Sequence, residues 1–199
     1  EDLAAWDESQ FNAITVAQMP SLANGQLGAL STDAVQWITP DQLAALSSAQ
    51  VSAFTTDQYT SMRTAQVASL TSAQVAGMAT DDLAALSTSQ IRALQVDFVK
   101  AMDSAQLRAL TTEQVNALLT DQLVEMSSSQ LNGMTSAQLA ALRTNQLQAL
   151  SVDQVDGFEA EDIAALSSTQ ISILSEDQMA SLSNVQLRAI ETADIRALS

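Results

Sequence analysis

The sequence repeats every eight residues from one end to the other. From Gln42 it runs QLAALSSA, QVSAFTTD, QYTSMRTA, QVASLTSA, QVAGMATD. We number the slots 1 to 8 from the large apolar residue after Gln. Slot 1 then holds Leu3, Phe11, Met19 and Leu27, and continues to Leu187 and Ile195. Slot 4 begins at Trp6, Ile14 and Leu22, ends at Ile190 and Leu198, and is large and apolar in all 25 blocks. Slot 3 is Ala, Gly or Ser except at Trp37, Glu125 and Ile173. Slot 8 is Gln in 19 of 24 positions, broken by Ala34, Asp82, Phe98, Asp162 and Asp194. No insertion or deletion interrupts this frame. Elements of varied length could not share it, so residues 1–199 form a single uninterrupted array of one stacked unit.

A period of eight excludes most regular structures. A continuous α-helix advances about 100° per residue, so each block would fall about 80° out of register and the apolar residues would wind around the whole cylinder. A coiled coil needs a period near 3.5. In a strand, slots 1 and 4 would point to opposite faces, and Ala, Gln and Leu favour helix. Short helices, broken once per block, satisfy the pattern.

Helix-start signals agree with that reading. Slot 5 is mostly Ser or Thr, and Gln follows three residues later, as in Ser47/Gln50, Thr55/Gln58, Thr71/Gln74, Ser87/Gln90, Thr111/Gln114 and Ser151/Gln154. This is the capping box: the hydroxyl accepts from the N3 amide and the Gln reaches back to the cap amide. Leu46 with Val51 and Leu70 with Val75 flank the caps as hydrophobic staples. Slot 7, the second helical position, carries Asp33, Asp41, Asp57, Asp81, Glu113, Asp121, Asp153, Glu161 and Asp177, where carboxylates favour the positive end of the helix. Pro40 sits at N1 behind Thr39, the helical position that suits proline.

The expected fold is an all-α solenoid of short, about two-turn helices, one per octapeptide. A single block cannot stand alone. Its two large apolar residues contribute roughly 3–6 kcal/mol on burial, against roughly 8–16 kcal/mol for ordering eight backbones. Stacking on neighbours must supply the difference, and small slot-3 residues allow close approach. Slot 4 hints at three blocks per coil. Leu22, Leu46, Leu70, Leu94, Leu118, Leu142, Leu166 and Ile190 share one class, and all slot-4 Met, Phe and Trp fall in the other two. At roughly 8–10 Å between packed helices, three blocks per coil predict a rod roughly 70–80 Å long, and two predict one half as long again.

The blocks LTSAQVAG, LTTEQVNA and MTSAQLAA, from Leu70, Leu110 and Met134, resemble the TTAQVAAL-type octapeptide arrays of very large bacterial surface or secreted proteins. The resemblance spans the chain and implies an extracellular, structural or adhesive context. No functional residue comes with it. Several blocks depart from the pattern. Met19-Pro20 places proline where it removes a helical bond, and Asn24-Gly25 reads as a turn. Gln95-Val96-Asp97-Phe98 lacks both cap and Gln, Leu119 occupies a cap slot, and Trp37 and Ile173 are large where the pattern is small. Each is either a docking spot or kink, or else drift in a redundant array or burial against a neighbouring subunit.

Composition excludes much chemistry. With no His and no Cys there is no His-based catalytic relay, no thiol centre and no His/Cys zinc site. A net charge of −16 disfavours nucleic acid. No apolar stretch is long enough to insert in a membrane. Asp81-Asp82 and Glu159-Ala160-Glu161-Asp162 are the densest carboxylates, but no calcium-loop motif accompanies them, and they read as a solvated face of helix starts. Met62, Met78, Met102, Met126 and Met134 occupy core slots, and Arg92, Arg108, Arg188 and Arg196 occupy slot 2, from which they could pair with acids on neighbouring helices. The sequence therefore predicts no catalytic, cofactor or metal residue, and no enzyme. Its leading reading is a spacer, stalk or filament subunit of a bacterial cell-surface or extracellular protein. Glu1 in place of Met suggests a mature or excised segment. Leu3-Ala4-Ala5-Trp6 and Ile195-Arg196-Ala197-Leu198 keep the internal pattern, so the array is expected to continue in a larger chain or to self-associate end to end. The alternative is an adhesive module presenting Thr56, Thr64, Thr80, Thr88 and Thr112 to a glycan, a protein or ice.

Overall fold

A computed structural model describes residues 6–190 of the chain. Among them it is all-helical, with no strand. Leu3, Asp194, Ile195, Arg196 and Leu198 lie outside the described residues. The chain divides into two compact units, Glu1–Met102 and Asp103–Ser199.

In both units one short helix forms per octapeptide and ends in extended backbone at slot 4 or in helical backbone one or two residues before it. The helix Thr88–Ala93 shows why. Its cap Ser87 is extended (φ −66°, ψ 156°), and Leu94 leaves the helix again at ψ 136°. The backbone thus turns a corner once per block, where the hydroxyl and the Gln amide together satisfy the first free N–H groups. Asp103 and Asp7 cap in the same way with carboxylates.

Helices pack against those 24 residues away, so three blocks make one coil. In the first unit Thr32–Trp37 packs on Thr56–Ser61, which packs on Thr80–Ala85. In the second, Ser136–Ala140 packs on Ala160–Ala165, which packs on Asn184–Ala189. Slots 1 and 4 fill the core together. Leu43, Val51, Tyr59, Leu70, Leu107, Leu118, Leu147 and Ile163 are fully buried.

The irregular blocks have local causes. Val16–Ser21, which contains Pro20, is a 3-10 helix, and so is Val75–Gly77. Thr71 and Gln74 still form their cap bond (2.9 Å), but the α-helix expected behind it is absent. Asn24-Gly25 is not a turn. It opens the helix Asn24–Gly28, because the Gln26 side chain takes up the Ala23 amide (2.8 Å) and Gly25 keeps a negative φ. Phe98 is fully buried in the slot of a Gln, and the helix Val96–Ala101 forms without a side-chain cap, so this departure is core and not a docking spot. Trp37 is half-buried against Phe11, their rings 6.5 Å apart.

Candidate functional site: a glutamine ladder between coils

The side chain that organises each unit is the slot-8 Gln, and it does two jobs. Gln90 is representative. Its Oε1 accepts from the Ser87 amide (2.8 Å) and the Ser87 hydroxyl (2.9 Å), while the Ser87 oxygen accepts from the Gln90 amide (3.2 Å). Its Nε2 points the other way and donates to the Tyr59 and Met62 carbonyls of the preceding coil, both at 2.9 Å. Those are the slot-1 and slot-4 carbonyls where the earlier helix ends. A helix of five or six residues leaves most of its carbonyls unpaired, and the Gln of the next coil supplies the missing donor.

The same two-sided contact recurs. Gln58 donates to Leu27 and Leu30, Gln66 to Val35 and Ile38, and Gln74 to Leu43 and Leu46. In the second unit Gln138 reaches Leu107 and Leu110, and Gln154 reaches Leu123 and Met126. The interior Gln side chains are almost wholly buried: Gln66 is 1% exposed and Gln146 0%. A buried primary amide is tolerated because its oxygen and both N–H groups find partners.

Sequence reasoning placed Gln in the cap and missed the ladder. A signal was present. The box accepts Glu as readily as Gln, yet slot 8 never holds Glu in this acid-rich chain. Gln also persists where slot 5 has no hydroxyl to cap with. The Arg63, Leu119 and Arg143 amides each donate to the following Gln at 2.6–2.9 Å. A purely local role requires neither preference; a donor to the next layer requires both.

The two described Asp residues in slot 8 confirm what the amide does. Asp82 and Asp162 are 7% and 5% exposed, so they are not part of a solvated acidic face; Asp81 and Glu161 beside them are exposed. Asp162 keeps the cap by accepting from the Glu159 amide (2.9 Å), whereas the helix Thr80–Ala85 starts with no side-chain cap bond. A carboxylate cannot donate to carbonyls below. Instead it accepts from a slot-6 hydroxyl of the preceding coil: Thr56 to Asp82 and Ser136 to Asp162, each 2.7 Å. The Val51 carbonyl, which a Gln at position 82 would have gripped, takes the Tyr59 hydroxyl (2.6 Å). Tyr59 stacks edge-on against Phe54 with centroids 5.9 Å apart.

Burial, and secondarily the Asp82 charge, push the Tyr59 phenol far above its ordinary range. The folded state therefore keeps a proton that the unfolded chain releases above about pH 10, so stability is unchanged below that pH and falls as pH rises beyond it. Tyr59 is the only tyrosine. Tyrosinate absorbance should therefore appear together with loss of helical circular dichroism in an alkaline titration. Ionisation at the ordinary pH with helicity intact would contradict this environment.

The exposed acids serve helix starts. The Glu113 carboxyl is held below its usual range, first by its own backbone amide and then by the Thr111 hydroxyl. Asp7 is lowered by the Ser9 hydroxyl and then the Gln10 amide. Among the described residues no three acids converge as a metal site. Nor is any described helix long and apolar enough to cross a membrane. Arg108 donates to the Gly133 carbonyl (2.6 Å) in place of an acid, and Arg143 to the Leu118 carbonyl (3.2 Å), so these guanidiniums supplement the ladder at helix ends. The slot-6 hydroxyls are divided among different edges of the coil: Thr56 and Thr80 share one, Thr64 and Thr88 another. Thr56 is spent on Asp82.

The ALTTAQ repeat model matches residues 20–56, 75–106, 97–128 and 123–159, more than half of the chain. The chain belongs to the ALTTAQ repeat family. No curated protein matches it. The ALTTAQ matches and the Gln ladder describe one object, a repeat-based structural module in which the Gln of the repeat joins consecutive coils.

Proposed function

We propose that this ALTTAQ array is a non-catalytic structural module, a spacer, stalk or filament subunit of a bacterial cell-surface or extracellular protein, able to extend end to end. One observation carries this reading: within each unit every coil meets the next through the same Gln contact, so coils add without new chemistry. The octapeptide frame passes through Met102-Asp103 without insertion, which supports treating the 199 residues as one array. The resemblance to large bacterial surface arrays supports the location, and the acidic balance keeps such a surface soluble.

Two experiments test it. Proteolysis of intact bacteria carrying the parent protein should digest the array, and full protection with release only on lysis would overturn the location. Light scattering and electron microscopy of the purified chain over a concentration series should show growing assemblies. Monodisperse single particles at the highest concentration would remove the end-to-end part.

A further inference from the structure

The two apolar slots of a coil face opposite ways, and the first and last described coils show it. In the first coil slot 1 (Phe11, Met19, Leu27) is fully buried, while slot 4 (Trp6, Ile14, Leu22) is only half-buried. Those three line a shallow depression of about 450 Å³ together with Gln10 and Gln18. In the last described coil the order reverses. Slot 4 (Leu182, Ile190) is buried, Met179 is half-buried and Leu187 is 39% exposed. This reversal implies that inside each unit the slot-4 face of one coil closes on the slot-1 face of the coil before it.

The polar groups follow the same direction. Gln10 and Gln18 accept from the Asp7 and Thr15 amides (3.0 and 2.8 Å), as every ladder Gln does. Their Nε2 groups are exposed and reach no carbonyl layer among the described residues. On the last described coil, the Met179 and Leu187 carbonyls each accept one backbone bond, from Leu182 and Ile190, as their interior counterparts do. With the Leu182 and Ile190 carbonyls they form two slot-1/slot-4 pairs in consecutive blocks, and none takes a side-chain donor among the described residues. Gln10 and Gln18 likewise lie in consecutive blocks.

We infer that the occupant of the Gln10/Gln18 face is a second copy of this chain, presenting its Met179–Ile190 face, with Gln10 donating to the Met179 and Leu182 carbonyls and Gln18 to those of Leu187 and Ile190. This rests on the end-to-end reading above and adds its polarity: donors meet acceptors only head to tail. Such a heterologous contact propagates and does not close into a two-fold dimer.

The test uses Gln10→Glu/Gln18→Glu, which keeps both cap acceptors and removes both donors, and Leu187→Arg, which spoils the opposite face. Helical circular dichroism and melting should match the parent chain in both. In sedimentation equilibrium the parent chain should associate, and each variant alone should associate about a hundredfold more weakly. An equimolar mixture should recover a dimer and nothing larger, since one good face remains on each variant. Association of the parent chain with no effect of Gln10→Glu/Gln18→Glu, or a mixture that stays monomeric, overturns the assignment while end-to-end stacking survives. A parent chain that stays monomeric defeats stacking itself.

Discussion

Gln90→Glu should destabilise the first unit by about 3–5 kcal/mol at neutral pH, although it is isosteric and keeps the capping box. Ser87 would still donate to the position-90 oxygen. The other oxygen would face the Tyr59 and Met62 carbonyls, which now lie 2.9 Å from the amide nitrogen, so acceptor would meet acceptor at a site 3% exposed. The new carboxyl would be easier to protonate in the folded chain than in the unfolded one, because protonation restores one donor and removes a buried charge. The folded state then holds the extra proton, and stability falls with rising pH above the ordinary Glu value of about 4.3. The penalty should thus be smallest near pH 4 and largest near pH 7 in urea denaturation. Gln10→Glu, with an identical cap and no layer to bond, should shift stability by no more than about 0.5 kcal/mol. Equal stability of Gln90→Glu and the parent chain would mean that the amide donor contributes nothing between coils.

The second large effect concerns the distance between coils. A methyl added at Gly77 would lie 2.1 Å from the Ser48 carbonyl oxygen and 2.9 Å from its carbon. Both belong to the backbone of the helix beneath, so no side chain can swing aside. Gly77→Ala should cost about 1–3 kcal/mol through forced separation of the coils. Most other blocks carry Ala in this slot, but here Val75–Gly77 is a 3-10 turn packed on Ser48–Val51. Gly25→Ala is the control. Nothing lies within 4 Å of a methyl there and φ is negative, so the change should be neutral or stabilise by about 0.4–1 kcal/mol. Thermal melts of the two variants should move in opposite directions or differ by several degrees. A Gly77→Ala melt unchanged from the parent chain would show that the coils have slack.

Most helices, their starts and the core slots were legible before any coordinates, because each depends on residues three or four apart; the 3-10 turn Val75–Gly77 and the helix opening at Asn24-Gly25 were not. Ser87 and Gln90 need nothing else to begin a helix, and Leu110 needs only the cap at Thr111 to leave one. Met19-Pro20 announced a distorted turn for the same local reason. The candidate site was half legible. Gln90 was placed at its cap, but its partners Tyr59 and Met62 lie 31 and 28 residues earlier, a separation that no local rule yields. Asp82 and Asp162 were assigned to a solvated face because their neighbours Asp81 and Glu161 are acidic and exposed. Their burial follows from slot position and outweighs the charge.

The octapeptide by itself determined that the backbone breaks once per block, which residues cap each helix, and which two face the core. Those outcomes rest on hydrogen bonds and apolar contacts within a single turn. Tertiary structure settled that three blocks close a coil, at which the slot-4 residues only hinted, and alone decided that slots 1 and 4 face opposite ways, that the Gln amide and the Asp82–Thr56 pair meet carbonyl and hydroxyl groups of another layer, and that the Tyr59 hydroxyl takes the Val51 carbonyl of the adjacent block. A side chain's partner across layers depends on how many blocks complete a turn. That number comes from how helices pack around a shared core, and one eight-residue frame is compatible with more than one value.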